Sequence, residues 1–567
     1  MDVFIQRLKR MPRLSAQLII ATLLSNILAL ASPLFVMQVL NRYVSQGVDS
    51  TLATLTFGTL AAVVMEFIFR QMRHRMAEQL NGKPNEEIRL AGFSVLTHGK
   101  IPALEQIPAA QRRATVSAAT DVEQVYNASN LNVILDLPFS VIFLFILYLI
   151  SPPLALIAAV FIGTLFTFAL LGAIAARNDT SELRNVSGQS GVVLETAIRE
   201  ADTVHAFNAA AFLKNAWFDV SQTSNRFRAR IASKQGLVQS ATQSGTGVMS
   251  IAIISVGAIL AVQGALDVGA MIGANILATR AMQPTSKFAQ LGAALTKARQ
   301  ELAQLEEFIL LPLEPDKGSA KSNYSGSLEF RDLAFFFQGA SGPLFESLSV
   351  KLKPGDILFV LGNSGTGKTT MARLLVGLLE PVRGQILVDG MDLRQVSPEW
   401  WRREVVYFPQ EPTFLNATIE ENLKLANSQA DLSRMNAAID EAGLRSFLDE
   451  SADGFETPIA DNGRQLAVGV RRNLALARAL MSDGHLVIID EMFDGFDADG
   501  KSAINAVVNR FVREGRTTII MSHQTKKLEG VSAVIDLNEK PEPRVTYYSE
   551  DKEPSDTETR QDDDDAA

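Results

Sequence analysis

The chain has 567 residues, enough for more than one domain, and its mean hydropathy of +0.12 is only slightly apolar, which can average an apolar half with a soluble one. The formal net charge of −9 says little about partners, because much of it lies in the C-terminal residues. The absence of cysteine excludes disulfides, thiolate metal sites and cysteine nucleophiles, and the 5 histidines are too scattered for a zinc motif.

Six apolar stretches in the first half of the chain are predicted to cross a membrane. Each is close to the roughly 20 residues that a helix needs to span about 30 Å of hydrocarbon. The sixth stretch contains Arg280 and Gln283 and is weak alone, with a surface helix as its alternative, but the charge distribution favours an even number of spans. The stretches lie at about 16–38, 51–70, 132–150, 153–175, 243–265 and 267–285.

Basic residues mark one side of these spans. Lys and Arg precede the first span, follow the second, fourth and sixth, and precede the fifth, whereas the other connections are short and almost free of them. Because cytoplasmic loops carry the excess of Lys and Arg, both termini are predicted to be cytoplasmic. The first stretch is also too long for the apolar core of a cleavable signal peptide.

The two long connections, between spans two and three and between spans four and five, are predicted to be helical. They contain few prolines and continue the apolar periodicity, so spans two to five should extend into the cytoplasm as long helices. The bends are predicted as short helices at Thr120–Asn127 and Ala201–Ala211, which either press on another domain or form plain surface turns.

The second half of the chain has the composition of a soluble α/β domain. The predicted domains are a membrane domain over 1–310, a Pro-, Gly- and Ser-rich linker over 311–327, and an α/β domain over 328–545 with short apolar strands between helices. The acidic tail over 546–567 is predicted to be disordered and solubilising.

A phosphate-binding loop is the strongest functional signal. It fits the pattern G-x-x-x-x-G-K-[ST], between the apolar strand ILFVL and a helix. Its glycines let backbone N–H groups turn toward phosphates, and the helix N-terminus adds positive potential. Lys368 would reach the β- and γ-phosphates and Thr369 would ligate Mg²⁺. The candidate ATP-binding residues are Gly362, Asn363, Ser364, Gly365, Thr366, Gly367, Lys368, Thr369 and Thr370.

Two acids end the apolar strand that begins at His485. Asp490 can hold Mg²⁺, and Glu491 can act as the general base that polarises the attacking water. Gln410 is a candidate for contact with Mg²⁺ or that water, and His523, after another strand, for contact with the γ-phosphate. Each of these two would more often be structural if it occurred alone.

An aromatic residue ahead of the phosphate loop is the candidate for stacking on adenine. Phe337 is preferred, with Phe335 or Phe336 as alternatives and a core role as the competing interpretation.

The order of these motifs resembles the ATP-binding cassette superfamily, and the six preceding spans resemble its exporter type. The resemblance implies a fold of a membrane α-helical exporter-type domain plus a cytoplasmic α/β P-loop cassette. It implies ATP and Mg²⁺ as cofactors, and two cassettes that close over two ATP molecules. Segments Leu30–Val44 and Ile276–Pro284 further resemble type I secretion ATPases, and the chain looks like their shorter, protease- or lipase-secreting branch. The implied setting is a bacterial inner membrane, with a periplasmic adaptor, an outer-membrane channel and an exported polypeptide; nucleic acid is not an expected partner.

One segment departs from the family pattern. Where the family has LSGGQ, which reaches the γ-phosphate on the partner chain, this sequence has Leu466-Ala-Val-Gly-Val470. Ala467 has no hydroxyl, and Val468 places a β-branched side chain where the family has glycine. Loss of one charge-assisted hydrogen bond costs about 1.5–3 kcal/mol. Two assemblies are compatible with this departure: a heterodimer whose other chain has an intact LSGGQ segment, or a homodimer with slow ATP hydrolysis. The loop Asp494–Asp497 also departs from the pattern, although Asp497 is retained.

Three functions compete at this point. The first is ATP-driven export of a polypeptide, the second is export of a lipid, glycan or small molecule, and the third is a non-transporting ATP-binding regulator. The retained Glu491 and His523 argue against the third, because they are the groups that hydrolysis needs.

Overall fold

The computed structural model describes residues 2–44, 47, 49–315, 318–320, 323–337, 339–340, 342–491, 498–523 and 530–548, with the backbone alone at 2–3, 293 and 498–503. The chain divides into two compact units. Residues up to Gly99 together with Ala103–Leu313 form the first, and Lys100–Pro102 together with the residues from Glu314 onward form the second. The domain bounds predicted from the sequence stay a prediction, and both the acidic residues after Tyr548 and the loop Asp494–Asp497 lie outside the described residues.

Helices account for almost all of the first 313 residues. They form because long apolar runs carry few breakers, and the prolines within them, at Pro84, Pro138 and Pro284, are far apart. The helices are α1 (Asp2–Arg10), α2 (Pro12–Leu28), α3 (Ala31–Gln38) with a π-helical end (Val39–Val44), α4 (Asp49–His98), α5 (Ile101–Glu105), α6 (Ala109–Val125), α7 (Ala128–Ile150), α8 (Pro152–Arg199), α9 (Ala201–Ala206), α10 (Ala210–Val262) and α11 (Val268–Ile309).

Five helical stretches among the described residues are long and apolar enough to cross a membrane. They are Pro12–Val44, α4, α7, α8 and α10. The sixth predicted span falls within the 42-residue helix α11, which is not one of the five, so the count of six stays a prediction. α11 nevertheless occupies the middle of this unit, because it packs against α6, α7, α8 and α10.

The prediction of long helices holds for three of the four spans concerned. α4, α8 and α10 have 50, 48 and 53 residues and run far beyond their apolar stretches. α7, in contrast, is separated from α6 by Tyr126 and Asn127. The Asn127 side chain accepts a hydrogen bond from the Asn130 backbone N–H at 2.9 Å and caps the start of α7. The third span is therefore not one continuous long helix.

The first predicted bend is wrong. Thr120–Val125 is the end of the continuous helix α6, and the chain turns earlier, through α5. Gly99 permits this turn because a Cβ there would lie 2.4 Å from the Val95 carbonyl oxygen. The second bend does contain a short helix, α9, which ends at Ala206 rather than at Ala211.

The second unit is built on two β-sheets with helices around them. Strands Leu328–Phe335 (β1), Phe345–Leu352 (β2), Arg383–Val388 (β4) and Met391–Asp392 (β5) form an antiparallel sheet in the order β2-β1-β4-β5. The larger sheet has the order β10-β9-β3-β8-β7-β6. Its strands are β3 (Ile357–Leu361), β6 (Val405–Phe408), β7 (Leu486–Asp490), β8 (Thr517–Ser522), β9 (Val531–Asp536) and β10 (Arg544–Tyr547).

The larger sheet brings several carboxyl ends of strands to one edge. β9, β3, β8, β7 and β6 are parallel neighbours, and β7 is buried along its whole length. Open α/β sheets bind ligands at such an edge. The surrounding helices are α12 (Lys368–Leu375), α13 (Pro398–Glu404), α14 (Ile419–Lys424), α15 (Leu432–Glu441), α16 (Arg445–Glu450), α17 (Val468–Leu480) and α18 (Ala498–Arg513).

Candidate ATP-binding site

The phosphate loop lies between β3 and α12, as the sequence predicts. Gly365 and Gly367 have φ values of +80° and +111°, in the left-handed region that only glycine adopts without strain. A Cβ on Gly362 would lie 2.3 Å from the Thr366 hydroxyl, so this position also requires glycine. The loop thus has the tight backbone path that lets N–H groups face an anion at the start of a helix.

Contacts within the second unit fix the shape of the loop. The Thr366 hydroxyl donates to the Asn363 carbonyl oxygen at 2.9 Å, and the Gly362 N–H donates to the Ser522 carbonyl oxygen at 3.2 Å. The Asn363 N–H donates to the side-chain oxygen of Asn538 at 2.9 Å. Sequence reasoning missed Asn538, and its position just after an apolar strand at the sheet edge is the signal that could have identified it.

Lys368 is the buried cation of this site. It is 4% exposed, and its Nζ donates to the carbonyl oxygens of Gly362 and Asn363 at 2.5 and 2.8 Å. The same nitrogen forms an ion pair with Glu491 Oε1 at 2.7 Å. The ammonium is therefore held within the loop, where it can neutralise phosphate oxygens.

Glu491 joins two elements that are distant in sequence. Besides its contact with Lys368, its Oε2 accepts a hydrogen bond from Gln410 Nε2 at 2.6 Å. Its φ of +51° places a non-glycine residue in the left-handed region, directly after β7. Such strained residues cluster at functional sites, and here the conformation turns the carboxylate toward the loop. The structure thus brings together Lys368, Gln410 and Glu491.

Asp490 is the residue best suited to bind a divalent cation. It is completely buried, and neither carboxylate oxygen accepts a hydrogen bond of normal geometry in the described part of the chain. Burial raises the pKa of Asp490; the nearby Thr369 hydroxyl lowers it, Glu491 raises it and Lys368 lowers it. Two unsatisfied, buried carboxylate oxygens beside a threonine hydroxyl fit the oxygen-only ligand set that Mg²⁺ prefers.

The remaining predicted residues lie around this centre. His523 follows β8 and is exposed, and Thr369 is exposed at the start of α12. Among the aromatic candidates, Phe335 is buried, whereas Phe336 and Phe337 are 46% and 51% exposed. Phe337 lies perpendicular to Phe335 at 5.2 Å between ring centroids, and its half-exposed ring remains accessible to a planar ligand.

The Leu466–Val470 segment begins α17. Ala467 is the residue that precedes the helix and provides no side-chain hydrogen bond to it. Val468 is 51% exposed, and a Cβ on Gly469 would meet nothing within 4 Å, whereas Leu466 and Val470 pack against the core. The departure from the family pattern is therefore on the surface, because Val468 projects outward.

Comparisons with known proteins agree with this arrangement. Residues 16–284 match a family model described as the ABC transporter transmembrane region, and residues 345–494 match the ABC transporter model. The alpha-hemolysin translocation ATP-binding protein HlyB of Escherichia coli O157:H7 is 26% identical over 94% of this chain and 75% of its own length. The leukotoxin export ATP-binding protein LtxB of Aggregatibacter actinomycetemcomitans and the toxin RTX-III translocation ATP-binding protein of Actinobacillus pleuropneumoniae are each 25% identical, with the same coverage.

A solved structure shares the fold. A bacterial Atm1-family ABC exporter with ATP bound superimposes with a TM-score of 0.79, covering 93% of this chain and 94% of that chain, at 18% identity. The fold of the chain is therefore that of an ABC exporter.

Proposed function

The chain belongs to the ABC transporters, with a transmembrane region and an ATP-binding domain in one polypeptide, and from this premise we propose that it exports a polypeptide across a bacterial inner membrane. The observation that carries the proposal is the similarity, over 94% of the chain, to proteins named for the export of leukotoxin and hemolysin. The family match makes the chain an integral membrane protein and an ATPase coupled to transport.

The site suggests how its residues divide the work of hydrolysis. We assign phosphate binding to the loop from Gly362 to Thr370, with Lys368 as its cation, and adenine stacking to Phe337. Asp490, Thr369 and Gln410 would hold Mg²⁺, which supplies charge stabilisation to the transferred phosphoryl group when bound. Glu491 would take the proton of the attacking water, and its contact with Gln410 supports this role by orienting the carboxylate. His523 would contact the γ-phosphate.

The orientation of the chain follows from its basic residues. We propose cytoplasmic termini, with the basic loops and the ATP-binding domain on the cytoplasmic side. Exposed apolar side chains on α4 support contact with lipid, since Phe57 and Leu60 are 74% and 60% exposed.

A second ABC chain is the expected partner. Phe207 and Phe212, near the start of α10, are 79% and 74% exposed, and large exposed apolar side chains of this kind mark an interaction surface. This chain would contact the nucleotide bound by its partner only weakly, because Ala467 has no hydroxyl to donate and the exposed Val468 side chain replaces a glycine. The partner is therefore either an identical chain in a slow homodimer or a related chain with an intact segment. A periplasmic adaptor and an outer-membrane channel would complete the export path.

Comparison of secreted proteins tests the export of a polypeptide. Deletion of the gene should remove at least one polypeptide from the medium, as measured by mass spectrometry of the culture supernatant. The wild-type gene should restore it, and Glu491→Gln should not. Glu411→Gln, a neighbouring exposed carboxylate, is the matched control and should restore secretion. An unchanged set of secreted proteins in the deletion strain would refute the proposal.

A further inference from the structure

One side of α11 is polar, although this helix is packed among others. Leu277, Ala278 and Ala281 are buried against the neighbouring helices. Arg280 remains partly open, and Gln283 and Lys287 are exposed. A helix that other helices surround, with a polar open side, faces water or a second protein surface rather than hydrocarbon. This side also explains why α11 is less apolar than the five candidate spans.

Arg280 is a cation without a dedicated anion. Its only ion pair among the described residues is with Glu66 Oε1, at the long distance of 4.0 Å. That same oxygen is already in close contact with Arg70, on the same helix as Glu66. Arg280 donates no hydrogen bond in the described part of the chain, and its side chain is 29% exposed. Its guanidinium, which carries five N–H donors, can therefore bind a further anion.

Lys287 adds a second positive charge to the same helix. It follows Arg280 by two turns and is exposed, and the described residues supply no carboxylate to it. Arg70, Arg280 and Lys287 together with Glu66 carry three positive charges against one negative charge. The open side of α11 thus carries two positive charges, Arg280 and Lys287, and the carboxylate beside Arg280, Glu66, is shared with Arg70.

A lipid headgroup is less suited than a transported molecule to supply an anion that binds Arg280. On α4, the exposed apolar side chains of Phe57 and Leu60 face away from Glu66, whose side chain is only 9% exposed. Arg280 lies beside Glu66, hence on the inner side of α4. Ionisable side chains in membrane spans face the interior of the bundle or a water-filled path.

We propose that Arg280 and Lys287 form an anion-recognition site on the transport path, which binds side-chain carboxylates in acidic segments of the exported polypeptide. The inference rests on the proposed function and names the chemistry of its cargo. Guanidinium recognises carboxylate through two parallel hydrogen bonds, which makes Arg280 the main contact and Lys287 a supporting charge. Glu66 competes with the cargo carboxylate, because it lies beside the same guanidinium.

Peptide binding to the full chain tests this site. The chain is reconstituted in nanodiscs of phosphatidylcholine, and fluorescence anisotropy gives the Kd of labelled Gly/Ser peptides that contain either six Asp or six Asn residues. The Asp peptide should bind at least tenfold more tightly than the Asn peptide at low salt. Arg280→Gln should weaken the Asp peptide about tenfold and leave the Asn peptide unchanged, and Arg280→Lys should restore part of the affinity. Glu66→Gln should tighten binding of the Asp peptide.

The outcomes separate the site from the function. Equal binding of both peptides, or an Arg280→Gln variant that binds the Asp peptide normally, overturns the anion site while polypeptide export stands. Binding of neither peptide, together with an unchanged set of secreted proteins after gene deletion, overturns export and the site with it. Competition by added phosphatidylglycerol that disappears in Arg280→Gln would assign the arginine to a lipid headgroup instead. Arg13→Gln, an exposed cation at the start of α2, is the control and should bind as the wild type does.

Discussion

Neutralising Glu491 should separate nucleotide binding from hydrolysis. Lys368 and Glu491 form an ion pair in which their side chains are 4% and 18% exposed, and Glu491→Gln removes the negative charge of this pair. A charge-assisted hydrogen bond is worth about 1.5–3 kcal/mol, and the amide oxygen can still accept a weaker bond from Lys368. We therefore expect the lower end of that range. Because the carboxylate competes with phosphate for the same ammonium, ATP should bind about tenfold more tightly to the variant.

Hydrolysis should change in the opposite direction. Loss of a general base slows a reaction by about 10²–10⁴-fold, so phosphate release by Glu491→Gln should fall within that range. Affinity is measured by equilibrium titration with a non-hydrolysable ATP analogue, which keeps turnover out of the binding constant. Glu411→Gln, an exposed acid that makes neither contact, serves as the control. A Kd that stays the same or rises in Glu491→Gln would refute the competition between the carboxylate and the phosphates.

Three further changes test other parts of the chain. Asp490→Asn should abolish Mg²⁺-dependent hydrolysis and, without metal, raise the free energy of unfolding by about 1–3 kcal/mol, measured from the thermal midpoint. Because burial raises the pKa of Asp490 in the folded state, its ionised form destabilises the fold above that pKa, so the stability gained by the variant should shrink as pH falls through the folded-state pKa. A gain in stability that does not depend on pH would contradict the assignment. The double variant Ala467→Ser, Val468→Gly should raise the ATPase rate of the chain alone about tenfold, and an unchanged rate would show that this segment does not limit turnover. Arg7→Ala should lower the free energy of unfolding by about 2–4 kcal/mol, and the thermal midpoint with it, because Arg7 is 4% exposed and its loss leaves two asparagine oxygens unpaired. Arg10→Ala, at an exposed ion pair, should change the free energy of unfolding by less than about 1 kcal/mol, and equal effects of the two substitutions would refute the distinction.

The predictable parts of this protein are those with local signals. The phosphate loop follows from glycine spacing between a strand and a helix, and its backbone angles at Gly365 and Gly367 are what that spacing requires. The ATP-binding domain is recognisable for the same reason, since the phosphate loop, Gln410, Glu491 and His523 each follow a short apolar strand.

Contacts between distant residues were not predictable from the sequence. The bridge from Gln410 through Glu491 to Lys368 depends on side-chain conformations after β6 and β7 and at the start of α12. The position of the first bend was missed for another reason. Gly99, Pro102 and Pro108 are helix breakers, and they place the turn at α5 rather than at Thr120, which lies inside the continuous helix α6.

The charge on α11 has a consequence for biosynthesis. An arginine within a membrane-spanning helix costs up to about 2.5–3.5 kcal/mol when that helix enters the bilayer alone. Glu66, on the earlier helix α4, lies 4.0 Å from Arg280 and offsets part of this cost. As the predicted sixth span, α11 should therefore enter the membrane more readily once α4 is in place, because the carboxylate beside its arginine is then already there.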